Sequence, residues 1–338
     1  MKKFVISILL FFLPIILLVA NYLTLSSVRE CSGDLRKMAK FFFEKGYHEK
    51  FSITPDSVKV QDIEIKNLPN SPKILCFGDS FSNKRPLCFL QPVAEHFGTN
   101  IINVLYNLNF SPEDAAIGFL SNAPLSQMPE IMIVECVERY CIPKLYWLDT
   151  DNPPSLEQLQ KGKKHSTSTQ KKSIDKEILL YYQYRLGKEN NTICTRLDRQ
   201  CFTAKGNEEE LFSYYEDTVH YSDEYISGAA QKLEKLHQLA TVRNVTLVYM
   251  IAPNKSTLYT PYCIGPTNFF SILNNNTTFD TIPYVFNPLS KLRQLADNGV
   301  KDIYYADDTH WTPATAQIIG TQLTSKIIKL LTTNNSND

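Results

Sequence analysis

The chain has 338 residues, 43% of them apolar, a globular composition that excludes a disordered or collagen-like protein. Lys plus Arg and Asp plus Glu both total 35, so the net charge is zero, whereas a general nucleic-acid binder would show a basic excess. A single N-terminal apolar run excludes a polytopic membrane protein, and the remaining length suffices for one large α/β domain with insertions or two smaller ones.

That run is the first element in chain order. Lys2 and Lys3 precede an apolar stretch from Phe4 to Ala20, which continues less purely to Leu25. It is long for a signal-peptide core and just long enough to cross a bilayer. No small-x-small cleavage site follows cleanly, and Arg29-Glu30 before Cys31 does not suit a lipoprotein site. The reading is an uncleaved signal anchor over residues 1–25, with a cleaved signal as the alternative. In both cases the lysines stay on the cytoplasmic side and the body is exported.

Residues 26–70 read as a stalk and lead-in ending in the turn cluster Asn67-Leu68-Pro69-Asn70. The catalytic domain is expected over 71–335. Lys73–Phe77 is a short apolar run closed by Gly78-Asp79-Ser80, which predicts a buried strand entering a tight turn. Residues 92–97 suit the end of the next helix, and Ile101–Leu105 a second strand. Ser111-Pro112-Glu113 starts a helix over 112–121. Ile131–Glu135 is a third strand.

From about residue 142 to 221 the pattern weakens. The basic, low-complexity run over 160–172 predicts a surface loop within a helical or irregular insertion. Regular alternation then resumes. Asp223–Arg243 is helical in its spacing of Ile226, Leu233, Leu236 and Leu239, and Val245–Ile251 is a fourth strand. Leu289–Asn298 is a helix stopped by Gly299. Asp302–Tyr305 is a short fifth strand, and Thr312-Pro313 opens a last helix to about Leu331. The fold class is therefore α/β: a doubly wound, mostly parallel five-stranded sheet, flavodoxin-like in its winding, with one insertion and an N-terminal transmembrane helix.

Of the eight cysteines, Cys76 and Cys136 lie in apolar strand-like runs and read as buried thiols. Cys194 and Cys201, in a polar stretch, suit a disulfide in an exported protein. No C-x-x-C, paired-histidine spacing, P-loop, dinucleotide fingerprint, G-x-S-x-G or H-E-x-x-H occurs, so neither a metal nor a cofactor is expected.

Parallel sheets place active sites at the carboxyl ends of their strands. There Gly78 permits a sharp turn and presents Ser80, whose own backbone N–H can serve an oxyanion. A serine hydroxyl needs a base to become nucleophilic. His310 supplies one, with a carboxylate two or three residues earlier, Asp308 or Asp307, to fix its tautomer. Tyr214–His220 also holds acid and imidazole groups, and reads as structural unless it faces the cleft.

Gly78-Asp79-Ser80-Phe81 with Asp307-x-x-His310 resembles the SGNH (GDSL-like) hydrolase superfamily. Asp308-Thr309-His310-Trp311-Thr312-Pro313 resembles its alginate O-acetyltransferase branch, as do Pro253-x-Lys255 with Tyr259 and Glu135-x-x-Glu138-Arg139. In that branch the histidine motif precedes the serine motif, so the same parts stand here in permuted order. The branch pattern points to Asp308 as the triad acid, the wider superfamily to Asp307.

The superfamily's second-block glycine and Gly-x-Asn-Asp segment are missing, so Asn107 or Arg139 is expected to add an oxyanion donor to Ser80. Arg139 has the alternative of pairing with Glu135 or Glu138. Lys255 and Tyr259 are expected to orient a sugar or acyl donor, or else to be a solvated lysine and a packed tyrosine. Trp311 either stacks on a sugar or belongs to the core.

The resemblance implies an exported, membrane-anchored O-acetyltransferase with its catalytic domain in the periplasm or another extracytoplasmic space. It would act on a polysaccharide acceptor through an acyl-serine, with its donor handed over by a membrane O-acyltransferase partner. A carbohydrate esterase using water, and a non-catalytic polysaccharide-binding or assembly protein, are the competing expectations.

Overall fold

The structure is a computed structural model, and it describes residues 11–20, 34–35, 47–51, 59–82, 88–161 and 192–335. Residues 11–20 form a helical segment (α1) with exposed apolar side chains such as Phe11 and Leu18. The rest of the expected anchor lies outside the described residues. Among the described residues no helix is long and apolar enough to cross a membrane.

Six strands form the main sheet: β1 Val60–Glu64, β2 Ile74–Phe77, β3 Ile101–Leu105, β4 Ile131–Val137, β7 Thr246–Ala252 and β8 Val285–Phe286. Their spatial order is β1-β3-β2-β4-β7-β8, and every pair is parallel. β2 and β4 are buried along their whole length. That explains their continuous apolar runs, since both faces of a parallel sheet are covered.

The chain leaves β2 through α2 (Leu90–Phe97) to β3 on one side, then through α3 (Pro112–Asn122) to β4 on the other. Right-handed crossovers therefore put α2 and α3 on opposite faces. α2 packs with the last helix, and α3 with the helices that follow β4 and precede β7. The winding reverses between β2 and β4, and the crevice beyond their carboxyl ends is where such sheets bind ligands.

Local chemistry fixes the element ends. Ser111 and Asp114 form a reciprocal capping box at α3, with Pro112 in the first turn. α4 (Glu138–Tyr146) leaves β4 directly and carries Pro143, which has no N–H for the Arg139 carbonyl. The Tyr221 hydroxyl donates to that carbonyl instead, at 3.2 Å. α5 (Leu156–Gln160), α6 (Asp223–Val242), α7 (Lys255–Tyr259), α8 (Ile272–Asn275), α9 (Leu289–Asp297) and α10 (Pro313–Asn335) complete the set.

The observed fold departs from expectation in four places. The sheet has six strands, not five: β1 comes from the lead-in, so that segment is part of the core and not only a stalk. Asp302–Tyr305 is not a strand. Asp302 sits at φ 56°, in the left-handed region, and only Tyr304 makes an isolated antiparallel bridge, to Trp311. The insertion is not merely helical or irregular, because it contains an antiparallel pair, β5 Thr192–Arg196 with β6 Glu210–Tyr214. Finally, Cys201 is a free, buried thiol, so the Cys194–Cys201 bridge is not made. The basic run beyond Lys161 lies outside the described residues.

Gly320 on α10 gives a stability test. A Cβ there would stand 2.2 Å from the Phe89 carbonyl oxygen and 2.8 Å from Pro92 Cγ, where α10 crosses α2. Alanine favours a helix over glycine by about 1 kcal/mol, but a backbone oxygen cannot move aside cheaply. Gly320→Ala should therefore destabilise, by about 1–3 kcal/mol, read as a lower urea midpoint with an unchanged m-value.

Candidate active site

The turn after β2 is held by carboxylates from both sides. Asp79 Oδ1 accepts the Phe81 N–H at 3.0 Å, and Oδ2 accepts the Val137 N–H at the end of β4, also at 3.0 Å. The Asp79 N–H in turn donates to Glu135 Oε2 at 3.0 Å, which also accepts the Ser82 hydroxyl at 2.8 Å. Asp79 is thus the clamp between the two strands that flank the crevice.

Gly78 is required by space. A Cβ would lie 2.0 Å from Ser82 Oγ and 2.9 Å from Glu135 Oε2. Burial, reinforced by the Asp79 charge, holds the Glu135 carboxyl well above the usual carboxylate range.

Ser80 is exposed at the tip of this turn. The N–H groups of Asp79, Phe81 and Ser82 are all engaged, the last by the Asp79 carbonyl at 3.2 Å. The Ser80 N–H donates to nothing among the described residues. That leaves one backbone donor beside the serine hydroxyl, as an oxyanion site needs.

His310 meets Ser80 from across the chain. Its Nε2 lies 2.7 Å from Ser80 Oγ, and its Nδ1 is hydrogen-bonded to Asp308 Oδ1. Asp308 also accepts the His310 backbone N–H at 2.9 Å, so acid and base are locked in one turn. Phe81 covers the imidazole, with ring centroids 4.6 Å apart.

Asp307 does not share this role. It is buried and bonds His48 Nε2 at 2.7 Å, and His48 stacks on Tyr305 at 4.3 Å. Of the two acids left open by spacing, Asp308 is the one that touches the histidine.

The loop over 302–312 has no strand of its own and is held by hydrogen bonds. The Tyr47 hydroxyl donates to Asp302 Oδ1 at 2.8 Å and accepts the Ala306 N–H at 3.1 Å. The Leu35 N–H donates to the Asp307 carbonyl at 2.9 Å. Asp34 accepts both the backbone N–H and the hydroxyl of Thr309, at 2.8 and 2.6 Å, and its Oδ2 stands 3.7 Å from His310 Nδ1. Burial and the charge of Asp308 raise the Asp34 carboxyl above its ordinary value.

Lys255, Tyr259 and Trp311, each left open between substrate contact and another role, are part of this scaffold. Lys255 is buried, donates to the Ala306 carbonyl at 2.7 Å and lies 4.8 Å over the Phe202 ring. Tyr259 is buried edge-on against Phe202 and Tyr304. Trp311 is buried against Phe81, Phe89 and Tyr304. All three brace the loop from behind, because its apolar back needs packing where no strand supports it.

The expected oxyanion partners also differ. The Asn107 amide donates to the Gln158 carbonyl at 3.2 Å, and its Oδ1 accepts the Asn109 N–H at 3.1 Å, so Asn107 ties a loop. Arg139 pairs with neither Glu135 nor Glu138. Its Nη1 donates to Asn254 Oδ1 at 3.1 Å and lies 3.7 Å from Asp217 Oδ1, between the Tyr140 and Tyr214 rings. Glu138 instead accepts from the Thr257 and Ser271 hydroxyls, both at 2.6 Å, and from the Asn254 N–H at 2.9 Å.

The Arg139 Nε–H is buried and unpartnered among the described residues. Burial alone would lower the Arg139 pKa, but Asp217, with Tyr140, Asp79 and Asp34 nearby, raises it. Burial pushes Asp217 up to about 6 against the pull of Arg139.

Sequence reasoning passes over Asp34, Tyr47 and His48, which no motif marks. Asp217 and Tyr214 fall in the acid-and-imidazole stretch that reads as structural, and they reach the arginine at the end of β4. Among the described residues the one cluster with metal-ligand proximity is Asp34, Asp308 and His310, which is the relay itself. Compared with known proteins, the chain matches no family model, no curated protein and no solved structure.

Lys255 supplies a pH test. Burial lowers its pKa to about 8, against the attraction of Asp307, Asp34 and Asp308. Between that value and 10.5 the unfolded chain holds a proton that the folded chain has lost, so stability gains as pH rises through this window. Wild type should gain on Lys255→Met by up to about 3 kcal/mol between pH 7 and pH 10.5, measured as paired urea unfolding curves. A gap independent of pH would mean that the ammonium is not buried.

Proposed function

We propose that this chain is a serine O-acyltransferase of the SGNH type, moving an acetyl group through an acyl-serine onto a polysaccharide hydroxyl. The observation that carries this reading is the relay Ser80 Oγ, His310 Nε2 and Nδ1, and Asp308 Oδ1, set beside the open N–H of Ser80. The motif resemblance to the alginate O-acetyltransferase branch supplies the acetyl group and the polysaccharide. An N-terminal anchor, an extracytoplasmic catalytic domain and a membrane O-acyltransferase that delivers the donor belong to the same reading. No nucleic acid and no cofactor enter it.

The chemistry runs in two halves. His310 Nε2 takes the Ser80 proton as Oγ attacks the donor's acyl carbon, and the oxyanion forms against the Ser80 N–H. Asp308 holds Nδ1–H and stabilises the imidazolium. The intermediate collapses, the donor C–O bond breaks, and the departing oxygen takes the proton from His310. A sugar hydroxyl then gives its proton to His310, attacks the acyl-serine and leaves as the ester, and Ser80 regains its proton. The exposure of Ser80 favours one second reading, an esterase in which water takes the place of the sugar hydroxyl.

Intact-mass analysis after incubation with a chromogenic acetyl ester tests the first half. An acetyl adduct is expected on wild type and absent from Ser80→Ala, and faster discharge with an oligosaccharide acceptor than in water marks the transferase. No adduct and no ester turnover from folded protein sinks both readings.

The two neighbouring acids should part in kinetics. Asp308→Asn should lower kcat by about 10³–10⁴, as loss of the tautomer-fixing carboxylate does in serine triads. Asp307→Asn should leave kcat within about tenfold and act on stability, through the lost His48 contact. Equal losses in kcat would overturn the assignment of Asp308.

A further inference from the structure

α4 leads away from the crevice. Glu138 and Arg139 stand at its start, and at its far end the exposed Trp147 borders a groove of about 750 Å³ against the first half of α6. Tyr140 and the C-cap Trp147 are spaced i, i+7 on one side of α4, with the Arg139 guanidinium and the Lys144 ammonium over the Tyr140 ring at 5.3 and 5.5 Å and Lys144 turned inward to Cys136 Sγ at 3.5 Å. At 1.5 Å per residue the two aromatics stand about 10 Å apart along the axis, roughly the length of a disaccharide. Tyr140 is 39% and Trp147 71% exposed, whereas the chain's other tryptophan, Trp311, is only 5% exposed.

The groove is built rather than incidental. Tyr146 lies flat against Tyr225, centroids 4.1 Å apart at 20°, and meets Trp147 edge-on at 5.2 Å. Gly228 on α6 makes room for it, since a Cβ there would stand 2.8 Å from the Tyr146 ring. The rim is fixed: Asp149 accepts the N–H groups of Asp151 and Asn152 at 3.1 and 2.9 Å, and Lys235 donates to Thr150 Oγ1 at 3.3 Å. Its charges cancel, Asp149 and Glu224 against Lys232 and Lys235.

An exposed indole face beside donors and acceptors of both signs suits a ligand with apolar C–H faces and many hydroxyls. A sugar ring is such a ligand. An anion would need a cationic excess, and a protein interface core is depleted of charge.

We propose that this groove is a second glycan subsite, which holds the acceptor polysaccharide along α4 while its reacting residue sits at Ser80. The proposal rests on the acyl-transfer reading for its acceptor, and the test separates the two.

The experiment follows tryptophan emission of the full-length Ser80→Ala chain in detergent while cellohexaose, chitohexaose or mannohexaose, all uncharged, is titrated in. Saturable quenching by at least one is expected, and its loss in the Ser80→Ala chain that also carries Trp147→Phe. In the chain with Ser80 intact, Trp147→Ala should raise KM for that oligosaccharide about tenfold, the equivalent of about 1.4 kcal/mol. Its turnover of a small acetyl ester should be unchanged.

Quenching without any acyl transfer keeps the subsite and removes the catalytic reading. Transfer with no quenching by any of the three, or with KM unmoved in Trp147→Ala, overturns the subsite and leaves the catalytic reading standing. Self-association that changes in Trp147→Ala while the sugars do nothing makes the face a protein contact and also overturns it.

Discussion

A histidine carried on a loop has no ladder of strand hydrogen bonds to fix it, and the rest of the site follows from that constraint. The segment over 302–312 breaks from extended geometry at Asp302 and closes on itself through the Tyr304–Trp311 bridge, the Thr312 hydroxyl, which donates to the Asp302 carbonyl at 2.7 Å, and Asp308, which accepts the His310 N–H. Further bonds come from elsewhere in the chain: Tyr47, His48, Leu35 and Asp34 from the lead-in, the Cys201 carbonyl and Thr203 N–H at Asp302, and Lys255 and the Pro253 carbonyl from the end of β7. A net hydrogen bond contributes about 1 kcal/mol, so no single one decides the geometry. Their convergence on one eleven-residue turn does.

Ser80 has the opposite support. Its turn grows out of β2 and is tied to β4 by one carboxylate that reaches both the Phe81 and Val137 N–H groups. The sheet therefore fixes Ser80 and the loop brings His310 to it. Loosening of the lead-in would move His310 and leave Ser80 in place. Local openings of this kind cost less than global unfolding where few strand bonds resist them.

The central strands were legible because burial on both faces writes a plain apolar run, and β2, β3, β4 and β7 fall where those runs lie. The edges were not. β8 has two residues, and β1 reads Val-Gln-Asp-Ile-Glu, whose polar positions suit an edge but mask the strand. Asp302–Tyr305 carries a strand-like composition, and the left-handed Asp302 stops it.

Within the site, Ser80 and His310 were legible as a pair, because each stands in a short motif with its chemistry on its face. The choice between Asp307 and Asp308 was not. Both are buried, and only the direction of the turn decides which reaches Nδ1. For Lys255, Tyr259 and Trp311 the choice between substrate contact and packing was open for a related reason. A motif records which residues a site depends on, and dependence through packing leaves the same letters as contact with substrate.

The placement of charge follows the same logic. The Nδ1 side of His310 faces two carboxylates, Asp308 in contact and Asp34 behind it. A cation bonded to Asp308 would weaken its hold on the imidazolium that the proposed mechanism forms. Among the described residues two buried cations stand nearby, and each is turned elsewhere: Arg139 Nη1 to Asn254 and Asp217, and Lys255 to a backbone carbonyl. Lys255 offsets the carboxylates of the loop at a distance and takes none of their lone pairs from the histidine. A buried ammonium is costly, which its lowered pKa records. That cost accompanies the packing of several acids around one imidazole.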